Sequence, residues 1–522
     1  MKKTDLILIL DFGSQYTQLI ARRTREFKVY SEIHPFKLNL KKFLNEKEKS
    51  HILKGVIFSG GPSSVTDKGS PKFSKTDLDL LIKKKIPVLG ICYGMQLLCS
   101  LYNGSLHSSI HRQYGNTKIY TFGDSELYKG VNTQLNVWMS HGDSTDKMPQ
   151  KFIATSKSIN GVICSFEYPK AGIYGLQFHP EVNHTEFGKK ILNNFLFGVC
   201  CVKNLFEPES FIESKTEEII KKAGKSHVIC ALSGGVDSSV AALLVSKAIG
   251  ENLTCIHIDN GLMRKNESRK VIELFEKYYK LNLIFVNASE LFINRLSGVF
   301  DPEKKRKIIG NTFIEVFEKE AKKIKGVKFL VQGTLYPDVI ESVTSKGPSS
   351  KIKTHHNVGG LPDKMKLKLI EPFRELFKDE VREIGKKLGL RDNFINRHPF
   401  PGPGLAIRIL SDVTREKLDI LKEADEIYIN ELKIHGLYEK IWQAFSVLLP
   451  VQTVGVMGDE RSYENVIALR AVTSSDGMTA DFYAFDKDFL SSISNKIINS
   501  VKGVNRVVYD ISSKPPATIE WE

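Results

Sequence analysis

The chain has 522 residues, is 41% hydrophobic and 26% charged, and carries a formal net charge of +15. That composition belongs to folded globular protein, the length suggests about three domains at roughly 100–200 residues each, and no apolar run approaches the ~20 residues that span a bilayer. The seven cysteines contain no C-x-x-C pair, which points away from a zinc site or a disulfide framework; most are expected as small buried apolar residues.

The positive charge would suit nucleic acid. The lysines are scattered, however ("LIKKKIP", "EAKKIKG", "GKKLG"), with no aromatic–basic module. A lysine-rich solvated surface with sites for small anions is the expected reading, with no nucleic-acid partner and no membrane.

The opening "MKKTDLILILDFGSQY" has an apolar segment of only "LILIL", closed at once by Asp11. It reads as a first β-strand and not a signal peptide, so a cytoplasmic protein is expected. Further strand candidates follow in "GVIFSG", "IPVLGIC", "GVICSFE" and "IYGLQFHP", with glycines at their ends. Several are apolar without alternation, as expected of a parallel sheet covered on both faces. This first domain is placed at 1–203.

Two of these strand ends carry chemistry. "LGICYGMQLL" sets Cys92 between a strand and a helix, with Gly90 and Gly94 flanking it. That is the pattern of a nucleophile elbow with cysteine in place of serine. A helix N-terminus stabilises a thiolate. The backbone N–H of Tyr93, with Gly61 of "SGGPSS" as a second donor, can bind an oxyanion. "LQFHPEV" supplies His179 as a base and Glu181 to orient it. Taken singly, a core thiol and a capped loop histidine are the simpler explanations; the joint pattern favours catalysis.

The segment "NLFEPESFIES" reads as a linker with a helix start near Glu209. A second strand–helix series then runs through "HVICAL", "LTCIHIDNG", "LNLIFVNAS" and "KFLVQGT", implying another parallel sheet. It is bounded near residue 398 by "HPFPGPGLAIRIL". The series gives a domain at 204–397, and the remainder, with a helix near 415–435 and strands "ENVIALRAV" and "VNRVVYDIS", a small α+β domain at 398–522. The fold class expected is therefore α/β, with two open parallel-sheet domains and a small α+β C-terminal domain.

After "HVICAL" comes "SGGVDSS", residues Ser233, Gly234, Gly235, Val236, Asp237, Ser238 and Ser239. It stands where open α/β sheets bind ligands. Glycines let backbone N–H groups approach an anion, and the helix N-terminus adds its positive end. The serines offer hydroxyl donors, and Asp237 could help hold a magnesium ion bridging phosphates. No lysine follows the glycines, so this is not the Walker pattern.

The S-G-G-x-D-S-S string resembles the pyrophosphate loop of ATP pyrophosphatases, which cleave ATP between the α- and β-phosphates and adenylate an oxygen. The G-x-C-x-G-x-Q and F-H-P-E strings resemble class I glutamine amidotransferases, which release ammonia from glutamine through a thioester. That resemblance implies a glutamine pocket lined by Gln96 and the "SHGD" residues Ser140, His141 and Asp143. A helix face and a polar turn are the structural alternatives.

The domain order, together with "KRKIIG", "QGTLYPDVIES", "KTHHNVGGLP", "HPFPGPGLAIRIL", "GDERSYENVIALRAV" and the terminal "KPPATIEWE", resembles the glutamine-hydrolysing GMP synthetase family over essentially the whole chain. The family implies ATP, glutamine and xanthosine monophosphate as substrates. Its reaction is adenylation of the xanthine O2, with ammonia then displacing AMP. Mg2+ accompanies ATP, with no tightly bound organic cofactor, and the C-terminal domain makes a homodimer contact. By matching motif, Arg306, Lys514 and Glu520 contact the nucleotide substrate; a solvated tail is the alternative for the last two. "SKIKTHHNVGG" is either a mobile flap or an exposed loop.

Other classes fit less of the chain. Transfer-RNA-modifying enzymes share the S-G-G-x-D-S loop and suit the charge, but leave Cys92, His179 and Glu181 without a role. A non-catalytic glutamine sensor would not need an intact nucleophile, base and carboxylate. A different amide-forming synthetase is separated only by the C-terminal strings.

Overall fold

A computed structural model describes residues 3–344, 367–457, 460–474 and 479–522. The segment 350–360, expected as a flap or loop, lies outside the described residues. The chain divides into two compact units, Met1–Phe211 and Ile212–Glu522.

The first unit is built on a nine-stranded sheet. Its strands are β1 (Thr4–Asp11), β2 (Tyr30–Pro35), β3 (His51–Phe58), β4 (Val88–Ile91), β5 (Ser105–Thr121), β6 (Gln134–Lys147), β7 (Ile153–Ser158), β8 (Ile163–Tyr168) and β9 (Ile173–Leu176), in the order β2-β1-β3-β4-β9-β8-β7-β5-β6. From β2 to β9 the pairs are parallel, and Leu6 to Leu10 of β1 are fully buried, as a sheet covered on both faces requires. Beyond β9 every pair is antiparallel.

The open parallel sheet expected of this unit is therefore only its first half. "GVICSFE", read as one more strand of the parallel series, is β8, antiparallel to both of its neighbours. β6 alternates buried and accessible positions, the signature of a strand with one solvated face. Such strands lack the continuous apolar runs from which the sheet was read.

The second unit holds a five-stranded parallel sheet of β10 (His227–Ala231), β11 (Leu253–Asp259), β12 (Asn282–Asn287), β13 (Val327–Val331) and β14 (Lys368–Ile370), ordered β12-β11-β10-β13-β14. The order reverses between β10 and β13, where open α/β sheets place their ligands. A smaller sheet follows. β15 (Gln443–Met457) and β16 (Glu460–Thr473) are antiparallel, β17 (Asp481–Phe482) pairs antiparallel with β16, and β18 (Val504–Tyr509) pairs parallel with it. The helix Arg415–Ile434 packs in the same core, its Leu421 and Tyr428 fully buried. One buried apolar cluster runs from Ile229 and Ile256 of the parallel sheet through Phe317 and Leu405 to Ile467 and Leu469 of β16. Each such side chain contributes about 1.5–3 kcal/mol of burial, so this cluster joins the two sheets within the unit.

All seven cysteines are free; only Cys201 is exposed. Cys230 and Cys255 are register partners on β10 and β11. Among the described residues no helix is long and apolar enough to cross a membrane.

Candidate active sites

In the first unit Cys92 sits between β4 and the helix Tyr93–Leu101, with φ +51° and ψ −105°. That conformation costs a non-glycine residue on the order of 1–3 kcal/mol and persists only where the surroundings enforce it. They do so here: the Cys92 N–H donates to Leu176 O at 2.7 Å. The turn is also closed by two glycines. A Cβ at Gly90 would lie 2.5 Å from the Gly94 backbone, and one at Gly94 would lie 2.5 Å from Phe58 O.

The structure brings His179 and Glu181 to this sulfur. His179 Nδ1 meets Glu181 Oε1 at 2.7 Å, and His179 is hydrogen-bonded to Cys92. The three are 5%, 3% and 0% exposed. Burial by itself would lower the His179 pKa, but the Glu181 charge and the hydrogen bonds with Cys92 and Glu181 outweigh it and hold it well above its ordinary value. Arg23, from the helix Thr17–Glu26, secures the carboxylate's backbone: its Nε donates to Glu181 O at 2.9 Å and its Nη2 to Asn183 Oδ1.

The expected oxyanion donors are adjacent. A Cβ at Gly61 would lie 3.3 Å from the Tyr93 ring and 2.8 Å from Phe12 O, and Tyr93 opens the helix, where backbone N–H groups have no intrahelical acceptor. Of the expected pocket residues, Ser140 accepts from the Cys92 thiol through its carbonyl at 3.6 Å. The carbonyl of Asp143 accepts from Gln96 Nε2 at 3.0 Å and pairs with His141 Nδ1 at 2.8 Å. Burial lowers the His141 pKa, against the Asp143 carbonyl and with the help of His179. Gln177, which the sequence reading passed over, lies between Cys92 and Gln96: its Nε2 is 3.7 Å from Cys92 Sγ, and its Oε1 accepts from Gln96 Nε2 at 3.2 Å. The available signal was its place, directly after β9 and two residues before His179.

In the second unit "SGGVDSS" leaves β10 at the switch point and enters the helix Val236–Ile249. Gly234 has φ +80°, a region glycine enters freely. The loop is tied to itself: Ser233 Oγ is 2.9 Å from Ser238 Oγ and accepts from the Gly235 N–H at 3.2 Å. Ser239 is buried, its hydroxyl without a partner among the described residues. Asp237 Oδ2 is 3.4 Å from Lys378 Nζ, while its Oδ1 is buried without a hydrogen-bond partner among the described residues. Arg397 Nη1 donates to Gly234 O at 2.8 Å and also pairs with Glu267. Neither Lys378 nor Arg397 was singled out in the sequence; each lies more than a hundred residues from the loop.

The expected nucleotide-substrate residues are already engaged by protein. Arg306 Nη2 donates to Glu522 O at 2.7 Å. Glu520 forms a two-pronged pair with the fully buried Arg408, at 2.8 and 3.1 Å, and accepts from Gln443 Nε2 at 2.6 Å. Lys514 is held through its backbone to Ala480, at 2.7 and 3.1 Å. The C-terminal segment is thus anchored, further by the buried Lys305 on Glu522. Ile519 is buried, whereas Trp521 is 37% exposed.

Three family models match in chain order: Glutamine amidotransferase class-I over residues 8–199, NAD synthase over 209–305 and GMP synthase C terminal domain over 430–521. The chain is similar to the glutamine-hydrolyzing GMP synthase of Chlorobium chlorochromatii, with 56% identity over 99% of both chains, and to that of Brucella suis, with 57% identity over 99% of both. The chain belongs to the glutamine-hydrolysing GMP synthase family, carbon–nitrogen ligases that take glutamine as amido donor.

Proposed function

We propose that the chain makes GMP from xanthosine monophosphate, with ATP to activate the base and glutamine to supply the nitrogen. The observation that carries this is an assembled Cys92–His179–Glu181 line in the same chain as an S-G-G-x-D-S-S turn at a sheet switch point. The Cys92 thiolate attacks the glutamine amide carbon, with Gly61 and Tyr93 N–H groups on the oxyanion. His179 gives its proton to the departing ammonia, leaving a thioester that water hydrolyses to glutamate. Gln96, Ser140, His141 and Asp143 line the glutamine pocket.

At the second site the 233–239 loop grips ATP phosphates with backbone N–H groups and hydroxyls. Transfer of AMP to the xanthine O2 releases pyrophosphate; ammonia then takes C2 and AMP leaves with the oxygen. Asp237 Oδ1, without a partner among the described residues, suits a magnesium ion carried by ATP, which when bound would offset phosphate charge. Among the described residues no group of three or more His, Cys, Asp or Glu stands together for a metal, so such an ion would rest mainly on phosphates and water. Arg306, Lys514 and Glu520 face the nucleotide substrate, the two cations toward its phosphate; Glu520 would do so from its pair with Arg408.

A homodimer through the C-terminal sheet accords with Val454, Val456 and Tyr463 on β15 and β16, which are 57%, 75% and 64% exposed. Function in the cytoplasm completes the reading. Incubation with ATP, Mg2+, glutamine and xanthosine monophosphate tests it: AMP and GMP should form in equal amounts. ATP cleavage without GMP, or GMP formation without AMP, would refute it.

A further inference from the structure

The catalytic line of the first unit leaves one buried polar side chain unexplained. Gln177 is fully buried, directly after the residue whose carbonyl accepts the Cys92 N–H, and its amide nitrogen lies 3.7 Å from Cys92 Sγ. An amide can be built either way round, so the neighbours must decide which atom faces the sulfur. They do. A backbone carbonyl only accepts, so Asp143 O at 3.0 Å requires the nitrogen of Gln96 there. That same nitrogen, 3.2 Å from Gln177, requires the oxygen of Gln177 on its side. The N–H2 of Gln177 is thereby turned onto the sulfur.

We propose that Gln177 is a catalytic residue of the glutaminase site, donating an N–H hydrogen bond to the Cys92 thiolate. Hydrogen bonding to a charged form favours that form. A neutral amide does this without adding a charge that would compete with His179 for Glu181. The donor also fixes the sulfur from the side of β9; only the protonated thiol donates to Ser140 O. The chain Asp143 O to Gln96 to Gln177 to Cys92 thus gives Gln96 a defined task, holding the amide of Gln177 in its donating orientation.

The inference rests on Cys92 being the nucleophile, and the test separates the two. In the full-length chain, the rate of Cys92 alkylation by iodoacetamide is followed against pH by mass of the Cys92 peptide. Gln177→Met keeps length and apolar volume but removes the donor; Gln177→Glu keeps the acceptor toward Gln96 and puts a carboxylate oxygen on the sulfur. The alkylation midpoint should rise by about one unit in the first and by more in the second. Glutamine-dependent turnover near neutral pH should fall about tenfold in Gln177→Met and recover as the pH is raised. A merely structural role moves neither the midpoint nor the pH at which turnover recovers. A wild-type midpoint in either folded variant overturns the inference. Retained glutamine-dependent turnover in Cys92→Ala would instead overturn the nucleophile reading beneath it.

Discussion

The Cys92 site and the 233–239 loop occupy the same kind of place, the step from a parallel strand into a helix, yet they are finished to different degrees. Around Cys92 the catalytic side chains are buried and tied to protein: the sulfur to Ser140 and Gln177, the imidazole to Glu181, the Glu181 backbone to Arg23. In the loop, Ser233 and Gly235 are exposed and the Ser233 and Ser238 hydroxyls bond one another. The difference follows from the ligands proposed for them. A neutral amide brings no charge, so the protein must supply charges and hold them apart from water. A polyphosphate brings its own charge, and donors paired among themselves can be redirected to it.

The contrast can be attacked from the open side first. We predict that Asp237→Asn lowers GMP formation about a hundredfold or more with either glutamine or ammonium, because the carboxylate serves the shared ATP step. Normal AMP release from this variant would end the assignment.

A second probe uses two buried histidines shifted in opposite directions. His398 stacks on Tyr438, its Nδ1 accepts the Ala444 N–H, and its Nε2 donates to Tyr438 O. Burial lowers its pKa to about 4, helped by Arg264 and Lys433 and opposed by the Tyr438 carbonyl and Asp425. A base with a depressed folded value contributes stability above its unfolded value of about 6.5 and loses it as pH falls toward about 4. The 212–522 unit should therefore lose about 2 kcal/mol between pH 7 and pH 5 through this residue. His179 is raised, so its contribution is full below about 6.5 and fades only as pH rises through its folded value. Hydrogen exchange resolved by unit at the two pH values reads both. An acid loss in the 212–522 unit that persists unchanged in His398→Gln would assign it to other groups.

An effect of similar size is expected at the C-terminus. Lys514→Ala should raise the KM for xanthosine monophosphate about ten- to a hundredfold, the equivalent of one charged hydrogen bond of about 1.5–3 kcal/mol. The ATP requirement should change less. An unchanged titration at saturating ATP and ammonium would remove Lys514 from the site.

What the sequence made legible was whatever is local. Cys92 between its glycines and His179 two residues before Glu181 are short-range patterns that strand ends impose. The antiparallel half of the first sheet was hidden because β6 alternates, so its buried Val137 and Met139 are diluted by accessible neighbours. The partners of the sites were hidden for another reason. Gln177 meets Gln96 across 81 residues, and Arg408 meets Glu520 across 112; a buried charge or amide looks in sequence like any surface one. Glu520 was accordingly read as open to ligand, although Arg408 already holds it.

The central claim is that the first unit only supplies nitrogen while the second makes the electrophile. Cys92→Ala tests it most directly. With glutamine as nitrogen source, GMP formation from ATP and xanthosine monophosphate should fall below about one part in ten thousand, and His179→Ala should follow it in direction. With ammonium in excess, the same Cys92→Ala protein should synthesise GMP at the wild-type rate. Equal collapse of both activities in a folded variant would contradict the account.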